Sequence, residues 1–216
     1  MKSQIEILNQ LLAAKVAAIV RLDSGEPLIR VAEALRMGGI SVIEFTFSTP
    51  GALDMLKEAA VHFGREVLLG AGTVLDPETA RAAILAGAEF IVTPSVNLGT
   101  IAMCRRYGKP IVAGAMTPTE MLTVWEAGAD LVKVFPAGPI GGPEYIKAVL
   151  APLPQLRLVP TGGVSADNAA QFLKAGAVAV GVGGNLVNKK VVASGDWAAI
   201  TDEAQRLVAA VRSAPA

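Results

Sequence analysis

The sequence predicts an α/β chain folded as a (β/α)8 barrel of the TIM type with an extra N-terminal helix. Three observations predict it. Short apolar runs recur along nearly the whole chain, spacers long enough for a helix separate most of them, and several spacers end on the same glycine pattern. The composition agrees, with 52% hydrophobic residues but only 5% aromatic. Ala, Val, Leu and Ile therefore carry the apolar content, as in parallel strands covered on both faces. A chain of 216 residues with no apparent internal linker is expected to form one domain over residues 1–216.

The first element is MKSQIEILNQLLAAK, polar at intervals and without a long apolar core. It predicts a short amphipathic helix rather than a signal peptide, one that either caps the barrel bottom or joins an interface. The strand candidates then follow in order. VAAIVR (Val16 to Arg21), VIEFTF (Val42 to Phe47), EVLLGAG (Glu66 to Gly72) and EFIVTP (Glu89 to Pro94) make the first half. PIVAGA (Pro110 to Ala115), DLVKVFP (Asp130 to Pro136), LRLVPTGG (Leu156 to Gly163) and AVAVGVGG (Ala177 to Gly184) make the second.

The spacers read as helices. In PLIRVAEALRMGG, Leu28, Val31, Ala32 and Leu35 share one helical face, and Gly38–Gly39 ends the pattern. DPETARAAILAGAE opens with Asp76 as N-cap and Pro77 at the first helical position, and stops at Gly87. TPTEMLTVWEAGAD repeats this with Thr117, Pro118, Glu120 and a stop at Gly128, and SADNAAQFLKAGAV again from Ser165 to Gly176. Such crossovers join parallel strands rather than hairpins. An open doubly wound sheet is the competing reading, but no GxGxxG follows the first strand.

Nineteen basic side chains balance nineteen acidic ones, which gives no support to nucleic-acid or membrane binding. No stretch reaches the roughly 18 apolar residues of a membrane span, and a cytoplasmic protein is expected. One cysteine and one histidine are too few for a disulfide framework or a His/Cys metal cluster. His62 reads as a helix-end residue and Cys104 as core. Lys147 reads as solvated, Arg105 and Arg106 as no basic stripe, and Trp125 and Trp197 as packing residues.

In such a barrel, chemistry sits at the C-terminal ends of the strands. Arg21, Glu44, Thr46, Thr73, Thr93, Lys133, Thr161 and Asn185 qualify by position, with structural roles expected for Thr46 and Thr93. Glu44 and Lys133 stand out as ionisable residues inside apolar runs, where burial demands a partner, water or a function. Two readings remain open: a structural ion pair, or a lysine nucleophile served by a carboxylate that moves protons. The glycine-rich segments PTGGVSADN (Pro160 to Asn168) and VGGNLV (Val182 to Val187) are expected to lead from strands into helices. They either permit tight turns or bind a phosphate through free N–H groups.

The motifs AAIVR, GGISVIEFTFSTP, LLGAGTVLDPE, AEFIVTP, MTPTE, LVKVFPA, LVPTGGVSADN and VGVGGNLV occur in this order. Over residues 8–212 the sequence resembles the bacterial 2-keto-3-deoxy-6-phosphogluconate (KDPG) and 4-hydroxy-2-oxoglutarate (KHG) aldolases. The resemblance implies a class I aldolase that needs no metal or other cofactor and forms homotrimers. Its substrate would be a small phosphorylated 2-keto acid, cleaved to pyruvate and glyceraldehyde 3-phosphate. It also implies roles: Lys133 as Schiff-base lysine, Glu44 as proton shuttle, and Thr73 as a pyruvate contact. Arg21 would bind substrate, Pro94, Phe135 and Thr161 would line the pocket, and Gly162, Gly163, Gly184 and Asn185 would bind phosphate. Two departures bear on substrate choice. Ser48 stands where many members carry an arginine for the substrate carboxylate, and Asn185 where a serine often meets the phosphate. Three alternatives follow: an aldolase for the galactonate epimer, a phosphosugar isomerase or synthase without a Schiff base, and a non-catalytic barrel.

Overall fold

A computed structural model describes residues 2–214. All eight expected strands form: β1 (Val16–Val20), β2 (Val42–Thr46), β3 (Leu68–Gly72), β4 (Phe90–Val92), β5 (Ile111–Ala115), β6 (Leu131–Val134), β7 (Leu158–Pro160) and β8 (Val180–Val182). Each pairs in parallel with its sequence neighbour, and β8 pairs with β1. A parallel bridge between Thr161 and Gly181, and an N–H of Val178 donating to the Leu158 carbonyl at 3.0 Å, close the ring between β7 and β8. The open doubly wound sheet is thereby excluded.

Ten helices accompany the strands among the described residues: α1 (Gln4–Ala14), α2 (Leu28–Met37), α3 (Ala52–Phe63), α4 (Pro77–Leu85), α5 (Leu98–Arg106), α6 (Pro118–Glu126), α7 (Gly142–Leu150), α8 (Ala169–Lys174), α9 (Lys189–Ser194) and α10 (Trp197–Arg212). The expected signals operate. Leu28, Val31, Ala32 and Leu35 are all buried on α2. Asp76 caps α4 with Pro77 at its start, and Thr117 and Glu120 form a reciprocal capping box on α6.

Helix α1 settles its two-way expectation by lying across the N-terminal end of the barrel. The Ser3 side chain and Glu6 form a capping box that starts it. Its buried residues Ile7 and Leu11 join one apolar cluster with Val42, Leu68, Phe90, Val112, Leu131, Val159 and Ala179. Burying a side chain of this size is worth about 1.5–3 kcal/mol. Polar ties hold the helix in place: Lys2 pairs with Glu89 at 3.2 Å, and Gln4 donates to Asp130 at 3.0 Å.

One expectation is corrected at the opposite end. The segment from Ser165 does not begin a helix. Its N–H donates to Asn168 Oδ1 at 2.9 Å, while Asn168 Nδ2 donates to the Gly163 carbonyl at 2.9 Å. These local bonds hold a turn, and α8 begins only at Ala169. After β8, the N–H groups of Leu186 and Val187 both donate to the Gly183 carbonyl, at 2.8 and 2.9 Å. VGGNLV is therefore a turn, and α9 starts later, capped by Asn188. Both glycine-rich segments lead from a strand into a helix, as expected: α8 follows Asn168 directly, and α9 begins two residues after Val187.

Candidate active site

Side chains alternate across a strand, so residues two apart on each barrel strand point inward together. Glu44 on β2 and Lys133 on β6 share this orientation and meet inside the barrel, 2% and 4% exposed. Lys133 Nζ lies 3.9 Å from Glu44 Oε1 and 5.4 Å from the centre of the Phe135 ring. The first distance is an ion-pair separation but too long for a hydrogen bond, and the second is within cation–π reach. Glu44 Oε1 is buried and takes no hydrogen bond from the protein. Burial pushes the Glu44 carboxyl above its ordinary range, and the opposing pull of Lys133 and then Arg21 does not cancel it. The site therefore holds an amine beside a carboxyl group that keeps its proton more readily than an exposed carboxylate would.

Two glycines of β3 make room at this level of the barrel, Gly72 for Glu44 and Gly70 for Phe90. A Cβ on Gly72 would fall 1.9 Å from Glu44 Oε1, and one on Gly70 would fall 2.3 Å from the Phe90 ring. No side chain fits at either place. Sequence reasoning missed both, although glycines two apart inside a strand run signal a close approach from a neighbour.

Above the pair opens a cavity of about 440 Å3. Strand ends supply Arg21, Lys133, Phe135 and Thr161, and the two glycine-rich loops supply Gly162, Gly163, Gly184 and Asn185. Of the residues singled out from sequence, these therefore come together. Asn185 Nδ2 donates to the Val164 carbonyl at 2.9 Å and so ties the two loops to each other. The backbone N–H groups of Gly162, Gly163, Gly184 and Asn185 donate to no acceptor among the described residues. Below the pair, a void of about 30 Å3 bounded by Leu11, Glu44, Lys133 and Thr161 has room for one water molecule. Larger hollows of about 620 and 690 Å3 lie elsewhere, and neither includes Glu44 or Lys133.

Other candidates fall outside the cavity wall. Thr73 follows Gly72 directly and has a positive φ of 56°, unusual for a non-glycine residue and common at functional turns. Pro94 passes so close to β5 that a Cβ on Gly114 would lie 2.2 Å from its carbonyl carbon. Thr46 donates to the Val20 carbonyl at 3.2 Å, and Thr93 accepts from Gly114 and donates to the Ser95 carbonyl, the structural roles expected of both. Ser48 is exposed and donates to Thr46 Oγ1 at 3.3 Å.

The remaining reactive types lie away from this centre. His62 ends α3, with Nε2 3.0 Å from Glu33 Oε1. Cys104 is buried on α5, and burial with the nearby Asp130 pushes its thiol up to about 12. No group of three or more His, Cys, Asp or Glu side chains able to hold a metal occurs among the described residues. No described helix is long and apolar enough to cross a membrane.

Residues 7–203 match the family described as KDPG and KHG aldolase. The chain is 36% identical to the 2-dehydro-3-deoxy-phosphogluconate aldolase of Treponema pallidum (strain Nichols), over 94% of this chain and 96% of that one. It is 34% identical to the 2-dehydro-3-deoxy-6-phosphogalactonate aldolase of Escherichia coli (strain K12), over 78% and 82%. Among solved structures, a KDPG aldolase from Legionella pneumophila with pyruvate captured as a covalent carbinolamine intermediate superposes with a TM-score of 0.85. It is 28% identical and covers 95% of this chain and 98% of its own.

Proposed function

The chain belongs to the KDPG and KHG aldolase family, whose members are carbon–carbon lyases, and on that premise we propose that Lys133 forms a Schiff base with a 2-keto acid. The observation behind this is the buried amine of Lys133, 3.9 Å from a carboxyl oxygen of Glu44 at the base of an open cavity. The amine attacks in its neutral form. A Lys133 Nζ–C2 bond forms as the keto oxygen takes a proton from Glu44. The nitrogen then gives up one of its protons to Glu44, which passes it to that oxygen; the oxygen leaves as water and the iminium forms.

The iminium then draws the electrons of the C3–C4 bond towards nitrogen. The C4 hydroxyl gives up its proton to Glu44, directly or through a water of the open cavity, and the aldehyde leaves. Glu44 returns a proton to C3 of the enamine, and water releases pyruvate and regenerates the amine. One carboxyl group serves every transfer, and its raised affinity for protons suits a group that must donate as well as accept.

Arg21 binds the substrate carboxylate, a role enlarged by Ser48, which supplies no charge. Phe135 and Thr161 line the pyruvate pocket, with Thr73 and Pro94 at strand ends behind its wall. The free N–H groups of Gly162, Gly163 and Gly184, with Asn185, hold a remote phosphate and so fix C4 for cleavage. The substrate is 2-dehydro-3-deoxy-6-phosphogluconate, split to pyruvate and glyceraldehyde 3-phosphate. 4-Hydroxy-2-oxoglutarate, split to pyruvate and glyoxylate, is accepted as well. A second reading, the galactonate epimer, is favoured by the 34% identity to the phosphogalactonate aldolase. The protein works as a single-domain homotrimer in the cytoplasm.

The test is intact-mass analysis after borohydride treatment with pyruvate, on the parent and on Lys133→Ala. One reduced pyruvate per chain, absent from the variant, supports the Schiff base. A folded parent that gains no mass would sink it and return the isomerase or synthase reading. Rates with the two epimers then choose the substrate.

A further inference from the structure

One cation of the cavity wall has no part in the scheme above. Lys189, the first residue of α9, faces the same cavity as Arg21, Gly162 and Gly184, four residues beyond Asn185. Its Nζ is paired with the Asp23 carboxylate, which lies two residues beyond Arg21 on the loop leaving β1. Both partners of this pair are more than half exposed. Lys189 also lines the neighbouring hollow of about 690 Å3 that contains Asp23 and Arg30. Its side chain therefore stands on the partition between two spaces, held towards one of them only by an exposed ion pair, which solvent screens.

Charge matching gives this position a use. The proposed substrate brings one carboxylate and one phosphate dianion into a cavity whose wall holds Arg21, Lys133 and Lys189. Lys133 is consumed as the iminium, and Arg21 is assigned to the carboxylate because Ser48 cannot serve it. The phosphate then meets uncharged N–H donors alone unless Lys189 joins them. A flexible ammonium is suited to this, since it exchanges one oxyanion for another without a fixed fork geometry. We propose that Lys189 is a specificity-determining residue that contacts the substrate phosphate, leaving the Asp23 carboxylate for it when the cavity fills. The proposal rests on the aldolase reading for its substrate but not for its anion chemistry.

The experiment compares the parent with Lys189→Met, Lys189→Arg and Asp23→Asn in two measurements. The first is the ratio of kcat/KM for phosphorylated over unphosphorylated 2-keto-3-deoxygluconate. The second is calorimetric binding of 3-phosphoglycerate at low and high salt. Lys189→Met is expected to lower the ratio and weaken 3-phosphoglycerate by about fivefold, a difference that shrinks with salt. Lys189→Arg recovers much of the loss, and Asp23→Asn shifts both readings the other way by freeing the ammonium. The proposal is overturned if Lys189→Met binds 3-phosphoglycerate like the parent, or if both substrates suffer equally. A parent that turns nothing over and traps no pyruvate defeats the aldolase reading instead, and the binding comparison still decides Lys189.

Discussion

Along five barrel strands, the inward residue at the closed end and the one two positions further on differ sharply in kind. Val42 is followed by Glu44, Leu68 by Gly70, Leu131 by Lys133, Val159 by Thr161, and Ala179 by Gly181. Two residues advance a strand by about 7 Å. Within that step the interior changes from close-packed aliphatic side chains under α1 to ionisable groups and bare backbone. The closed end is a core, and its contacts are worth what apolar burial is worth. The open end gives up side-chain volume and buries charge, both unfavourable for folding, and the gain is a carboxyl group and an amine held 3.9 Å apart.

Substitutions at the two ends should therefore separate rate from stability. The largest effect on rate, after loss of Lys133 itself, is expected from Glu44→Gln, which should lower kcat by about 10²- to 10⁴-fold. Steady-state assays across pH should show the parent's acidic limb above the ordinary carboxylate value of 4.5, with no such limb in the variant. The same variant sharpens the contrast through stability. Because the folded-state value lies above the unfolded one, the folded chain holds the extra proton in that window, and the slope of unfolding free energy with pH is negative. Urea melts should then show the parent losing stability relative to Glu44→Gln as pH rises from about 4.5 through the raised value. A difference that grows in the opposite direction would mean that Lys133 outweighs burial.

Gly72→Ala should come next, since its Cβ lands 1.9 Å from the Glu44 carboxyl and must displace it. A loss of about 10²-fold in kcat is expected, as for a catalytic group moved by an ångström, with pyruvate trapping on Lys133 retained. A rate equal to the parent's would show that Glu44 needs no fixed seat. At the closed end, Leu11→Ala should cost about 2–5 kcal/mol in a denaturant melt and leave turnover by the folded chain little altered. Turnover falling in step with stability would break the division between the two ends.

The division explains what sequence reading could reach. Strands and most helix boundaries were legible because each depends on local signals, such as the Asp76–Pro77 start and the capping box of Thr117 and Glu120. Glu44 and Lys133 were legible because each interrupts an apolar run. Their meeting depends on strand order and register, which no local pattern carries, and so the need for Gly72 beside Glu44 stayed hidden. The late start of α8 was missed because Asn168 binds neighbouring backbone groups and holds a turn where a helix pattern was expected. Lys189 carries no local signal that singles it out, and only the return of the chain after β8 brings it to the same cavity as Arg21.

The plug formed by α1 also bears on the order in which the chain gains its structure. The helix precedes every strand, yet Ile7 and Leu11 share their cluster with residues as late as Val159 and Ala179. Its apolar face has no complete seat until the last strands arrive. A helix that precedes every strand in the chain is thus among the last elements to be fully buried, and its docking depends on closure of the ring.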